Sequence, residues 1–127
     1  MTMDPSPEVV SLPSSSRAPA LARDHASRLG GDWSRELLDV VLLVVSEAVT
    51  NAVRYGQGQV ELTVLAAPDR VRIEVSDANP DPPRQQGTPD GLGDGGRGLY
   101  LIEALTDTWG TTPRADGPGK TVWLELH

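Results

Sequence analysis

The sequence predicts an α+β domain, with helices on one face of a mixed, mostly antiparallel sheet, and three observations predict it. Between Ser34 and Tyr55 apolar residues recur every three and four positions, the period of a helix with one buried face. From Val60 to Val75 the period drops to two, the signature of half-buried strands. The stretch from Asn79 to Gly98 is so dense in Gly and Pro that it reads as a long loop between these layers.

Taken in order, Glu8-Val9-Val10-Ser11-Leu12 predicts a short edge strand stopped by Pro13. Ala18, Leu21, Ala22 and Leu29 predict a first helix over Arg17 to Leu29, with N-caps offered by Ser14 to Ser16 and an end at Gly30-Gly31. Leu37, Leu38, Val41, Leu42, Val45, Ala48, Val49 and Ala52 define the long helix, closed by Gly56. Val60, Leu62 and Val64 followed by Val71, Ile73 and Val75 predict an antiparallel hairpin around Ala66-Ala67-Pro68-Asp69. After the loop come a short helix from about Gly98 to Leu105 and strands at Thr108 to Thr112 and Thr121 to Leu126, joined by Ala115-Asp116-Gly117-Pro118-Gly119. Residues 1–7 are expected to be a flexible N-terminus and 8–127 a single domain, which is an ordinary size for one core.

Charge and composition narrow the function. A formal net charge of −7 disfavours a nucleic-acid partner, because phosphate backbones are held by clustered Lys and Arg. The absence of cysteine removes disulfides, thiolate metal sites and Cys nucleophiles, and fits a reducing cytoplasm. No apolar run approaches the roughly 18 residues of a membrane span, so neither a membrane partner nor a membrane location is expected.

Glu47, Asn51 and Arg54 share one face of the long helix at i, i+4 and i+7. They read either as a solvent-facing stripe or as the wall of a polar pocket, and Leu43 on the same face favours the pocket. An Asn carbonyl oxygen is a hard neutral ligand for Mg²⁺, and a Glu one turn away can orient a hydroxyl toward a phosphate. Asp77 ends the strand that begins at Val71, and reads either as a turn-forming Asp or as a carboxylate held at a cleft. Gly95-Gly96-Arg97-Gly98-Leu99 enters a helix, where unpaired amides and the helix dipole suit phosphate. Thr121, within Gly119-Lys120-Thr121-Val122, either bonds the backbone or contacts a ligand. His25 and His127 are too scattered for a metal site, and His25 is expected at the helix surface.

In order, Val45-Ser46-Glu47-Ala48-Val49-Thr50-Asn51-Ala52-Val53-Arg54-Tyr55-Gly56, Val75-Ser76-Asp77, Gly96-Arg97-Gly98-Leu99 and Gly119-Lys120-Thr121-Val122 resemble a GHKL-type ATP-binding domain, and most of all the stand-alone bacterial anti-sigma-factor serine kinases. The resemblance implies a Bergerat-type two-layer α/β sandwich binding ATP and Mg²⁺, with the loop from Asn79 to Gly96 as an ATP lid. It implies that Glu47 is the general base, Asn51 holds Mg²⁺, Asp77 accepts from the adenine amino group, and Thr121 completes the adenine pocket. Gly96, Arg97, Gly98 and Leu99 would form the phosphate-side entry to the helix, with Gly96 and Gly98 bringing backbone amides to the phosphates. Two positions depart from the pattern. Asn79 and Asp81 stand where many relatives carry glycines after the Asp, and Tyr55 stands where many carry His.

The function so implied is an ATP-dependent serine/threonine kinase that phosphorylates an anti-sigma antagonist and sequesters a sigma factor, both partners being proteins, with a homodimer as the associated assembly. The alternative, motivated by the altered Asp77-Ala78-Asn79-Pro80 segment, is an ATP-responsive module that regulates a partner without phosphoryl transfer.

Overall fold

The computed structural model describes residues 8–81 and 94–127, the side chains of 94–99 excepted. The expected N-terminal tail over 1–7 and most of the expected lid lie outside the described residues. Strand β1 (Val9–Leu12) is followed by helices α1 (Ala18–Leu29) and α2 (Arg35–Tyr55), strands β2 (Val60–Ala67) and β3 (Arg70–Asp77), helix α3 (Asp94–Leu105), and strands β4 (Thr108–Pro113) and β5 (Lys120–Leu126). The sheet has the order β1-β2-β3-β5-β4, and all four pairings are antiparallel.

Helix α2 forms where its period predicts. Ser34, in extended conformation, accepts the Leu37 amide on its side chain at 3.1 Å, which satisfies one of the amides a helix start leaves unpaired. Val41, Val44, Val45, Ala48, Val49 and Ala52 are buried, and α2 packs on β2, β3 and β5 with α1 and α3 beside it. Burying a Val side chain is worth about 1.5–3 kcal/mol, so this face fixes the helix on the sheet. Helix α1 packs on α2, β1 and β2; α3 packs on α2 and β4. The serines expected to cap α1 do not cap it. Its N-cap is Arg17, with no side-chain cap, while Ser15 accepts the Arg17 amide on its hydroxyl and the Ala18 amide on its carbonyl. Pro19, whose missing N–H costs nothing in the first turn, sets the start instead.

Register divides the sheet into two faces. Leu62, Val75 and Val122 align across β2, β3 and β5, as do Val64, Ile73 and Leu124, and these rungs face the helices. The opposite face carries Thr63, Glu74 and Trp123 on one rung and Leu65, Arg72 and Glu125 on the next. There the Arg72 guanidinium lies 4.7 Å from the Trp123 ring centroid and donates to Glu74 and Glu125 at 2.9 and 2.8 Å. The hairpin expected around four loop residues is tighter: both strands run on until Pro68-Asp69 alone joins them.

Candidate functional site

The site lies where the C-terminal end of α2 meets the ends of β3 and β5. Continuing the alternation Val71, Ile73, Val75 brings Asp77 onto the helix-facing side, where it is 1 % exposed. The same count back from Leu126, Leu124 and Val122 brings Lys120 onto that side, and the two are register partners. Lys120 Nζ donates to Asp77 Oδ1 and Oδ2 at 3.2 and 3.1 Å and to the Asn79 carbonyl at 3.2 Å. A buried carboxylate needs such a partner, since an unpaired charge here would cost several kcal/mol.

Asn79 completes the corner. Its backbone N–H donates to Asp77 Oδ1 at 2.7 Å, its side-chain Nδ2 donates to the Tyr55 carbonyl at 2.8 Å, and its Oδ1 accepts the Asp81 amide at 3.0 Å. It thus satisfies one of the carbonyls that the end of α2 leaves open. Gly56 lies directly on the Asp77 carboxyl, where a Cβ would come within 2.6 Å of Cγ and 2.8 Å of Oδ2. Gly119, at φ 131°, takes a conformation open to glycine and brings its Cα against the Asp77–Ala78 backbone. These two glycines let helix end and strand end close on the carboxylate.

Glu47 and Asn51 are half-buried one turn apart on α2, and Arg54 is exposed. Leu43 is 41 % exposed, so the stripe does not begin inside the core as its apolar neighbour suggested; Leu43 and Arg54 at its two ends are exposed, and Glu47 and Asn51 between them are half-buried. At 1.5 Å per residue, Glu47 lies roughly 13 Å and Asn51 roughly 7 Å along α2 from Gly56, the glycine that touches the Asp77 carboxyl. Helix α3 packs along α2 and starts at Asp94, four residues earlier than expected. Gly96 therefore falls in the first turn, where amides have no intrahelical partner, whereas Arg97, Gly98 and Leu99 sit further along the helix. The side chains of Arg97 and Leu99 lie outside the described set.

Thr121 is not brought to this site. It points to the opposite face, where its hydroxyl meets that of Ser76 at 2.7 Å. The place beside Asp77 belongs to Lys120, to which the sequence analysis gave no role; the alternation through Val122, Leu124 and Leu126 was the signal that places it. Likewise His25, expected at the surface, is half-buried with Nε2 enclosed and without a hydrogen-bond partner among the described residues.

For Mg²⁺ the donor set is sparse. Among the described residues no three His, Cys, Asp or Glu side chains gather to hold a metal. One Asn oxygen with a neighbouring Glu fits an ion carried largely by phosphate and water oxygens, the habit of Mg²⁺ in nucleotide sites. No helix among the described residues is long and apolar enough to cross a membrane.

A search of the curated proteins finds no match. Among solved structures, the RsbU and RsbW domains of Rv1364c from Mycobacterium tuberculosis superpose with a TM-score of 0.69 at 21% identity, over 97% of this chain and 32% of that one. The chain therefore spans about a third of that relative and shares its fold. The family described as histidine kinase-like ATPase domain matches residues 12–126, nearly the whole sequence from β1 to β5. The protein belongs to the histidine kinase-like ATPase domain family.

Proposed function

We propose that the protein is an ATP- and Mg²⁺-binding regulator that acts as a serine/threonine kinase of the anti-sigma-factor type on a protein substrate. The observation that carries the reading is the placement of Asp77 against the end of the same helix that bears Glu47 and Asn51. In this reading the base-recognition carboxylate meets the C-terminal end of α2, and the phosphate-side pair stands about one and two turns back along the same rigid element, as a site held to a fraction of an ångström requires. Family membership supports ATP as the ligand.

In this reading Asp77 accepts from the exocyclic amino group of adenine, and Asn51 holds Mg²⁺ through its side-chain oxygen. Bound Mg²⁺ supplies charge neutralisation at the phosphates. Glu47 accepts the proton of the substrate hydroxyl as that oxygen attacks, a role for which its half-buried place on α2 provides fixed orientation. The first-turn amides of α3, Gly96 included, face the phosphate side with the positive end of the helix dipole. The partners are an anti-sigma antagonist as substrate and a sigma factor as the sequestered protein, with a homodimer as the working assembly and the cytoplasm as its compartment.

The test is phosphoryl transfer from labelled ATP to candidate antagonist proteins, compared between wild type and Glu47→Gln. Transfer by the wild type that falls at least about a hundredfold in the variant, with ATP affinity retained, is the expected result. ATP binding without Glu47-dependent transfer to any cognate antagonist would refute the kinase and leave the second reading, an ATP-responsive binding module, which the rebuilt Asp77–Asn79 corner favours.

A further inference from the structure

The carboxylate assigned to the base is not a lone one. Lys120 Nζ sits nearly equidistant from the two Asp77 oxygens, 3.2 and 3.1 Å, so one N–H can be shared between them. A second N–H goes to the Asn79 carbonyl at 3.2 Å. An ammonium has three donors, which leaves one uncommitted among the described residues. On the carboxylate, Oδ1 takes both Lys120 and the Asn79 N–H, whereas Oδ2, among the described residues, takes Lys120 alone and keeps an acceptor position. The pair therefore offers an acceptor and a donor side by side, 3.1 Å apart, with Asp77 1 % and Lys120 7 % exposed.

Adenine presents the complement on one edge: an amino group that donates at position 6 beside a ring nitrogen, N1, that accepts. Guanine presents an oxygen at position 6 and a donor at N1, the reverse order. Resting on the ATP reading above, we infer that Lys120 is a base-specificity residue, its ammonium donating to adenine N1 while Asp77 Oδ2 accepts from the amino group. The base-recognition element of this chain is then a buried ion pair. Its low exposure keeps water from competing for either half, and the Asn79 cap holds both halves to the end of α2.

The experiment is calorimetric titration at fixed Mg²⁺ with ATP, 1-deaza-ATP, in which N1 becomes C–H, and 7-deaza-ATP as a control, on wild type, Lys120→Met and Lys120→Gln. Wild type is expected to bind 1-deaza-ATP at least about tenfold more weakly than ATP, the loss of one charge-assisted hydrogen bond, and 7-deaza-ATP as tightly as ATP. In Lys120→Met the ratio of ATP to 1-deaza-ATP affinity is expected to fall to about one, the mark of direct coupling between side chain and ring nitrogen. If that variant does not melt cooperatively, Lys120→Gln decides, with a ratio expected well below that of the wild type. Equal binding of ATP and 1-deaza-ATP by the wild type, or an undiminished ratio in the variant that folds, would overturn the inference while leaving ATP binding intact. Failure of the wild type to bind ATP at all would instead overturn the ATP reading on which it rests.

Discussion

Gly56→Ala is the substitution whose outcome the structure constrains most closely. Gly56 has φ −82° and ψ −175°, an extended backbone that alanine adopts without strain. By unfolded-state entropy alone the change would stabilise the protein by about 0.4–1 kcal/mol. Space decides the sign the other way. The added Cβ would press on the Ala52 carbonyl oxygen and come within 2.6 Å of Asp77 Cγ and 2.8 Å of Oδ2. Neither can yield easily, because the carbonyl accepts the Gly56 amide at 3.0 Å and the carboxylate is held by Lys120 and Asn79. Overpacking of this kind costs about 1–3 kcal/mol, so the net destabilisation is about 1–2 kcal/mol, or about 4–7 °C in Tm for a chain of this size. Because the displaced group is the Asp77 carboxyl, ATP affinity falls as well. Thermal melting and nucleotide titration of the purified variant measure both. A variant at least as stable as wild type, with unchanged ATP affinity, would refute the close approach of helix end and carboxylate.

Two further outcomes follow from side chains around this frame. Asn79→Ala removes the bond to the Tyr55 carbonyl and the one from the Asp81 amide; at about 0.5–1.5 kcal/mol per bond, urea denaturation should show a loss of about 1–3 kcal/mol, with faster amide exchange confined to the last turn of α2, and unchanged exchange there would contradict the cap. On the open face of the sheet, the hydrogen bond from Arg72, aided by that from Thr108, holds the Glu125 carboxyl below its ordinary range. A carboxylate lowered in the folded state contributes stability above its unfolded pKa and loses it as pH falls through the folded one. Arg72→Met should therefore return Glu125 toward the usual range in a carboxyl NMR titration and flatten the acid side of the stability profile. A Glu125 titration that does not move would show that Arg72 is not the cause.

The sequence made some parts of this molecule plain for physical reasons. Helix α2 was legible because its buried face repeats over many turns and Ser34 and Gly56 mark its ends, and the central strands because alternation survives wherever one face is covered. The start of α3 was not, since glycines argue against a helix interior but are tolerated in a first turn, so Asp94 to Arg97 read as loop. The side chain at the Asp77 corner was misplaced by one residue, a shift that in a strand means the opposite face. Thr121 drew attention as a hydroxyl in a motif, while the position facing Asp77 was Lys120, a residue type rarely buried unless paired. Asn79 likewise stood out as a departure from a glycine pattern; its work as a cap on α2 depends on a contact across 24 positions of sequence, which no local reading supplies.

A nucleotide site strung along α2 is tested by calorimetric titration of ATP into wild type and Asn51→Ala at fixed free Mg²⁺, repeated in a chelator. Wild type is expected to bind ATP in a Mg²⁺-dependent way, at least about tenfold more tightly than Asn51→Ala, the loss of one ion-linked contact, while the variant melts as the wild type does. Binding of equal strength in the two proteins, or binding indifferent to Mg²⁺, would contradict it.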